Sequence, residues 1–184
     1  FEGLVKNAVP GAKLVDLSII PENMQDTSVP LKISLKYTGE NVLVEGGGKI
    51  MPAIPWFGKF IGIVNFVLGK AELEKRKYPF DTEIACGTEE SFSLTMDTPG
   101  WKAVSIPKYT KHDTESIYWK QNLEFKDGKL EGQNRFILKV VEFSPAQYLE
   151  LKGMLKEIEF DLRKKPVFSR ESAAALEGKP GYEP

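Results

Sequence analysis

The fold is decided by residues 117–162, which read IYWKQNLEFKDGKLEGQNRFILKVVEFSPAQYLELKGMLKEIEFDL. Apolar residues alternate from Ile117 to Phe125, the dipeptide Asp127-Gly128 follows, and a second apolar run returns from Leu130 to Phe143. Asp-Gly between two alternating runs is typical of a tight hairpin turn. The stretch therefore predicts two long antiparallel strands.

A helix is predicted directly after this hairpin. Ser144 and Gln147 match the capping box, in which each side chain bonds to the other residue's backbone amide, and Pro145 suits the first helical position. Apolar residues then recur at steps of three and four, namely Tyr148, Leu151, Leu155, Ile158 and Leu162. They form one apolar stripe that can pack on a sheet. We predict an amphipathic helix over about 144–163, ended by Pro166.

Alternating apolar residues also predict strands in the first half of the chain. One set is Val15, Leu17 and Ile19; the other is Leu31, Ile33, Leu35 and Tyr37. Shorter strand candidates lie at 42–45, 82–86, 91–96 and 101–106. Many short strands separated by turn residues favour an antiparallel arrangement. We predict a mainly β fold, an antiparallel sandwich of one or two packed sheets with one C-terminal helix, in a single domain over 1–168 followed by an extended tail over 169–184.

Composition excludes several classes of function. The 184 residues include 25 basic and 26 acidic side chains, for a net charge of -1, and no basic stripe of the kind that binds nucleic acid. No apolar run is long enough to predict a membrane span. The single cysteine, Cys86, excludes an internal disulfide and a multi-cysteine metal site. Because the chain starts at Phe1, without a signal peptide, we expect a piece of a longer protein whose targeting segment lies elsewhere.

The most apolar segment, residues 56–68, has two interpretations. Apolar runs usually belong to the core, so the segment fits a buried loop or short helix against the sheet. Large exposed apolar patches mark interfaces, so it also fits a surface that docks on another domain. The residues predicted for that interaction surface are Trp56, Phe57, Phe60, Ile61 and Phe66.

Cys86, His112 and Asp127 occur in the chain order of a thiol nucleophile, an imidazole base and an orienting carboxylate. An activated cysteine needs a helix N-terminus or a cationic neighbour. Cys86 instead ends a predicted strand and precedes two glutamates, which raise a thiol pKa. Asp127 is explained by the hairpin turn. We therefore predict no catalytic residue and no cofactor.

The weaker candidate sites have simpler structural explanations. Gly46-Gly47-Gly48 is not followed by a helix, so it predicts a turn rather than a phosphate-binding loop. The lone His112 cannot assemble the usual zinc site, and the pair Asp113 and Glu115 leaves only a weak calcium contact open. We predict no metal site. Sugar stacking is open for Trp56, Trp101 and the tyrosines, whereas the alternation of Trp119 with Ile117 and Leu123 favours the core for Trp119.

Several segments together carry a family resemblance. They are Pro10-Gly11-Ala12, Asn23 and Asp26 before Pro30-Leu31, Arg76 with Pro79-Phe80, Pro99-Gly100-Trp101 followed by Ile106-Pro107, the long hairpin, and Pro145, Tyr148, Leu149 and Lys152 before Pro166-Val167-Phe168. Over Pro10 to Phe168 the chain resembles the C-terminal β-rich region of bacterial transglutaminase-like proteins. In that family a central papain-like core holds the catalytic Cys-His-Asp set. The resemblance thus agrees that no catalytic residue lies in this chain.

The resemblance also implies a role, a location and partners. The role is a non-catalytic accessory domain that packs on the transglutaminase-like core of the same chain or on a partner protein, and the location is periplasmic or otherwise extracytoplasmic. The alternative is a module that binds carbohydrate or another cell-envelope polymer through aromatic side chains. Neither nucleic acid nor a membrane span is among the expected partners.

Overall fold

The computed structural model describes residues 1–39, 43–58, 69–96 and 101–170, with the side chain of Arg170 left out. These residues form a mainly β chain, as predicted, with two helices, α1 (Glu2–Ala8) and α2 (Pro145–Asp161). The strands are β1 (Ala12–Ile20), β2 (Lys32–Gly39), β3 (Leu43–Gly46), β4 (Lys49–Pro52), β5 (Phe80–Asp81), β6 (Gly87–Thr95), β7 (Trp101–Ser105), β8 (His112–Asp113), β9 (Ile117–Lys126), β10 (Lys129–Leu138), β11 (Glu142–Phe143) and β12 (Val167–Arg170).

The central sheet has the strand order β6-β10-β9-β8 and is built on the predicted hairpin. Strands β9 and β10 pair antiparallel along their whole length, with Trp119 opposite Phe136. The turn residues Asp127 and Gly128 both have positive φ, at 50° and 74°. Two successive positive φ values are those of a type I′ turn, whose twist matches that of the strands it joins. The hairpin prediction is therefore confirmed.

One face of this sheet carries the core. At one end, Trp119, Phe136 and Leu138 pack with residues of α2 and with the aromatic rings of Phe80 and Phe143. At the other end, buried residues from three strands form a second cluster, consisting of Ile50, Leu130 and Phe168. That cluster joins the central sheet to a second four-stranded sheet with the order β3-β4-β12-β7. The two antiparallel sheets thus pack against each other through this second cluster.

Helix α2 closes the first core cluster. Its cap is the predicted capping box, because the Ser144 hydroxyl accepts from the Gln147 amide and the Gln147 side chain accepts from the Ser144 amide. The buried face of the helix includes Tyr148, Leu151 and Met154. The predicted stripe omitted Met154, and it included Leu162, which lies one residue past the end of the helix.

Residues 70–79, called the strap below, run along α2 and form no helix or strand. The helix holds the backbone of the strap, since the Tyr148 hydroxyl donates to the carbonyl of Leu73 and Lys152 donates to the carbonyl of Ala71. Arg76 lies over the ring of Tyr148, with its guanidinium carbon 5.1 Å from the ring centre. Side chains of the helix thus fix the main chain of the strap.

Strands β1 and β2 form a separate two-stranded ribbon. Its register shifts between Leu14 and Asp16, so Val15 is an extra residue at a β-bulge. The prediction that Val15 alternates in phase with Leu17 is wrong for this reason, since the bulge places Leu14 on the apolar face instead. The base of the ribbon packs on α1 through a cluster of Val5, Val9 and Ala12, to which Phe57 adds its ring.

The glycine run forms a turn, and the last strand extends beyond the predicted end of the domain. Gly47 and Gly48 have φ values of 59° and 71° and turn the chain from β3 to β4, as expected for a turn. Strand β12 extends to Arg170, so two residues assigned to the tail pair within the sheet, while 171–184 lie outside the described residues. Within the described ranges, no helix has the length and apolar character needed to cross a membrane.

Candidate functional site

Cys86 lies directly before β6, half-buried against the first core cluster. Its carbonyl accepts a hydrogen bond of 2.8 Å from the amide of Leu138, which extends the β6–β10 pairing by one residue. Burial raises the pKa of its thiol. A raised pKa reduces the thiolate fraction at neutral pH, which is the opposite of what a nucleophilic cysteine requires.

His112 lies on β8, at the opposite edge of the central sheet from β6. Two strands separate these edges, so at about 4.8 Å per strand spacing β6 and β8 are about 14 Å apart. The imidazole contacts Glu157 on α2 instead, with its Nε2 3.0 Å from the carboxylate, although the ring N–H is not aligned for a hydrogen bond. Asp127 occupies the hairpin turn. The structure therefore does not bring the three residues together.

The negative charge of Asp113, the candidate calcium contact, is paired with two lysines. Its two carboxylate oxygens lie 2.9 Å from the ammonium groups of Lys111 and Lys139. These hydrogen bonds lower the pKa of Asp113 to about 2. Glu115 shares a shallow depression with Asp113, but no group of three metal-ligating side chains occurs in the part of the chain that the structure describes.

A polar row crosses the core face of the central sheet between the two apolar clusters. Strand pairing places Asn134 between Glu90 and Gln121. Burial raises the pKa of Glu90, while the amide of Gly58 donates to its carboxylate. Gln121 is buried, and neither atom of its amide makes an aligned hydrogen bond, although the Tyr109 hydroxyl lies beside it. The hydrogen bond to Glu90 fixes the main chain at Gly58, and the polar row contains no nucleophilic side chain.

The predicted aromatic surface is divided among different environments. Trp56 is 5% exposed and packs edge-to-face on Phe92, while Phe57 is half-buried and packs on Tyr37. The remaining members of the predicted surface, Phe60, Ile61 and Phe66, lie outside the described residues. Trp56 thus presents no face for sugar stacking, and the interaction surface as a whole stays a prediction.

The other two tryptophans differ in exposure. Trp119 is 1% exposed and its indole N–H donates to Asn134, as its predicted core position requires. Trp101 is half-buried and lines an open groove of about 330 Å³ with residues of the β3–β4 hairpin, namely Glu45, Gly46, Gly47, Gly48, Lys49 and Ile50. The glycine run and Trp101 were each noticed in the sequence. Their proximity depends on strand β12 pairing with both β4 and β7, which no sequence pattern indicates.

The ribbon carries the apolar surface that sequence reasoning missed. Register places Leu17 opposite Leu35 and Ile19 opposite Ile33, so these side chains share one face. The base of that face is covered, but farther along β1 Leu17 is 38% exposed, and Leu31, directly before β2, is 52% exposed. An isolated two-stranded ribbon is marginally stable in water. Its exposed apolar end is therefore a candidate contact surface.

Comparisons with known proteins relate the chain to a family of domains of unknown function and to a solved structure. The model of a family described as a domain of unknown function with a solved structure (DUF3858) matches residues 62–168, more than half of the chain. No curated protein matches. A solved structure described as a "putative protease" from Parabacteroides distasonis ATCC 8503 is similar, with a TM-score of 0.53, 18% identity and coverage of 67% of this chain. This chain spans 24% of that protein's length, and at this identity the likeness shows the fold alone.

Proposed function

The chain belongs to the DUF3858 family of domains of unknown function, and on that premise we propose that it is a non-catalytic accessory domain of a transglutaminase-like protein. The domain packs on the catalytic core or on a partner protein. The observation that carries this proposal is the separation of Cys86 from His112 on opposite edges of the central sheet.

The environments of the two residues support the same proposal. A cysteine–histidine pair works when the imidazole lies within hydrogen-bond reach of the sulfur and takes its proton. Here burial disfavours the thiolate of Cys86, and the imidazole of His112 lies between Glu157 and the ring of Trp119. Neither group is in a position to assist the other.

The solved protein from Parabacteroides distasonis supports the accessory part of the proposal. This chain covers about a quarter of that protein, so in that protein the shared fold is one part of a longer polypeptide. A domain of this kind requires a surface for its neighbour. The open apolar end of the ribbon, with Leu17 and Leu31 exposed, offers one. A periplasmic or otherwise extracytoplasmic location is proposed with it, on the resemblance to the transglutaminase-like proteins.

Two experiments test the proposal. The purified chain is assayed for amidase, peptidase and transamidase turnover beside Cys86→Ala and His112→Ala, and we expect no turnover above the variants. Turnover that Cys86→Ala abolishes would overturn the proposal.

The second experiment measures, by calorimetry, binding of the chain to a purified transglutaminase-like core from the same genome. Leu17→Lys is expected to weaken this binding. Lys36→Gln, on the polar face of the ribbon, is the control.

The alternative function is binding of carbohydrate or another envelope polymer, and burial reduces the number of tryptophans that can serve it. Burial removes Trp56 and Trp119 from any sugar-stacking role. Trp101 is half-buried and lines an open groove. The alternative therefore depends on Trp101 rather than on Trp56 or Trp119.

A further inference from the structure

Strand β6 lies at one edge of the central sheet, and among the described residues only β10 pairs with it. Its nine residues pair with β10 without a shift in register, so the strand carries no bulge. The other edge of β6 therefore presents a regular row of main-chain N–H and C=O groups. Such a row is a template for pairing with a further strand.

Two hydrogen bonds show which residues of β6 point to this open edge. The carbonyl of Cys86 accepts from the amide of Leu138, and the amide of Met96 donates to the carbonyl of Gly128. In an antiparallel pair every second residue bonds to one neighbour, and the residues between them point the other way. The even-numbered residues of β6 thus bond to β10. The open edge is formed by odd-numbered residues with exposed side chains, namely Glu89, Ser91, Ser93 and Thr95.

The preceding chain contacts β6 only over the core face in the described structure. Trp56 packs on the ring of Phe92, and the amide of Gly58 donates to the carboxylate of Glu90. Both contacts use side chains of even-numbered residues and no main-chain group of β6. Phe92 is half-buried, so a further strand beside β6 would also cover more of its ring.

The other outer strands of the described chain have protections that β6 lacks. Lysine, proline, bulges and short length all hinder pairing at an edge. In the ribbon, β1 has its bulge at Val15, and β2 contains Lys32 and Lys36. Strands β3, β5, β7, β8 and β11 have at most five residues each. Strand β6 has nine residues and contains neither lysine nor proline.

We propose that β6 pairs antiparallel with β6 of a second copy of this chain, so that the two central sheets become continuous. A two-fold axis at Phe92 places Ser91 of each copy opposite Ser93 of the other. The same axis places Glu89 opposite Thr95. Hydroxyl side chains then meet across the axis, which stabilises cross-strand pairs, and no two carboxylates lie directly opposite each other. A two-fold pairing also closes, because each copy satisfies the open edge of the other.

The charges fit a second copy. The net charge of the chain is -1, so two copies repel each other only weakly. Within one copy, Glu89 lies 3.7 Å from Arg135, and the carboxylate of Glu90 is turned to Gly58 on the core face. Antiparallel pairing puts this acidic half of one β6 beside the uncharged half of the other. The inference uses a different surface from the ribbon and does not depend on the accessory role.

Sedimentation velocity combined with hydrogen exchange tests the proposal on the unmodified chain. At about 0.5 mM we expect the mass of two chains, which falls to that of one chain on dilution. The amides of Ser91 and Ser93 are expected to exchange slowly in the dimer and rapidly after dilution. The amides of Phe92 and Leu94, which bond to β10, are expected to exchange slowly in both states.

A proline variant tests the main-chain bonds separately. Ser93→Pro removes one outward amide from each copy and leaves the bonds to β10 in place, as proline at an edge allows. Because each dimer loses two hydrogen bonds, we expect dimerisation to weaken about tenfold while circular dichroism stays unchanged. Ser93→Thr keeps the amide and the hydroxyl and is the matched control.

Three results would overturn the proposal. The first is a monomer at about 0.5 mM, which would leave the edge to a strand of a different protein. The second is a dimer in which the amides of Ser91 and Ser93 still exchange rapidly. The third is a folded Ser93→Pro that dimerises as strongly as Ser93→Thr. If Ser93→Pro does not fold, the exchange pattern of the unmodified chain decides.

Discussion

The hydroxyl of Tyr148 donates a 2.6 Å hydrogen bond to the carbonyl oxygen of Leu73, joining two residues 75 positions apart. Tyr148 itself is fully buried at the first turn of α2. Leu73 lies in the strap, which forms no strand whose ladder could satisfy its backbone groups. The strap is therefore held where side chains of the helix reach its carbonyls.

Tyr148→Phe removes this hydrogen bond while keeping the ring in the core. We expect the free energy of unfolding to fall by about 1–2 kcal/mol, because the carbonyl of Leu73 loses its partner in a partly buried place. Urea denaturation measures the loss, and amide hydrogen exchange is expected to rise in the strap. Tyr78→Phe is the matched control, since Tyr78 is 72% exposed. Equal stability of the two variants would contradict the assigned role of Tyr148.

A second prediction concerns Gly132, which lies in β10 between two large apolar side chains. A Cβ atom there would lie 2.1 Å from a ring carbon of Phe92 and 2.9 Å from a methyl carbon of Leu123. Gly132→Ala therefore overpacks the core, and we expect a loss of about 1–3 kcal/mol.

The matched control for Gly132 lies in the same protein. Gly153 is an exposed residue of α2, and a Cβ atom there would meet nothing within 4 Å. Alanine favours a helix over glycine, so Gly153→Ala is expected to stabilise the protein by about 0.5–1 kcal/mol. Thermal denaturation of both variants checks the opposite signs. A neutral or stabilising Gly132→Ala would mean that Phe92 moves aside freely.

The contrast between local and long-range features explains what the sequence could predict. The hairpin at Asp127-Gly128 and the cap at Ser144 depend on residues within a few positions of each other, and both are confirmed. The pairing of β12 with β4 and β7 joins segments far apart in the chain. Residue patterns encode which face of a strand is apolar, but they do not encode which strand becomes its neighbour.

The candidate sites also combine local features with long-range ones. The environment of Cys86 was predicted correctly to disfavour the thiolate, although the main physical cause is burial rather than the nearby glutamates. The exposed apolar end of the ribbon was missed, because alternation in β1 and β2 predicts a buried face wherever it occurs. Whether such a face is covered depends on the number of layers that pack on it.

A third prediction concerns the reactivity of Cys86. Since burial raises the pKa of its thiol, alkylation by iodoacetamide at pH 8 is expected to be slower than that of a free cysteine peptide. The pH–rate profile is expected to have its midpoint above that of the same protein unfolded in urea. His112→Ala should leave the profile unchanged. A midpoint below that of the unfolded chain would contradict burial as the dominant effect on the thiol pKa. A midpoint that shifts on loss of His112 would show that the two groups interact.

The final prediction concerns the ionisation of Asp113. Hydrogen bonds to Lys111 and Lys139 lower the pKa of its carboxyl to about 2 from an ordinary value of 3.8. A carboxyl whose pKa is lowered by folding contributes stability above its unfolded value, and that contribution is lost as the pH falls from about 4 toward about 2. Lys139→Gln removes one of the two bonds, so the pKa of Asp113 is expected to rise toward 3.8 while remaining lowered by Lys111. Titration of the carboxyl carbon by NMR measures the shift, with Lys120→Gln, an exposed lysine of β9, as the control. If Lys139→Gln leaves the pKa of Asp113 unchanged, Lys111 alone stabilises the carboxylate, and the bond from Lys139, the residue after β10, adds nothing to its ionisation.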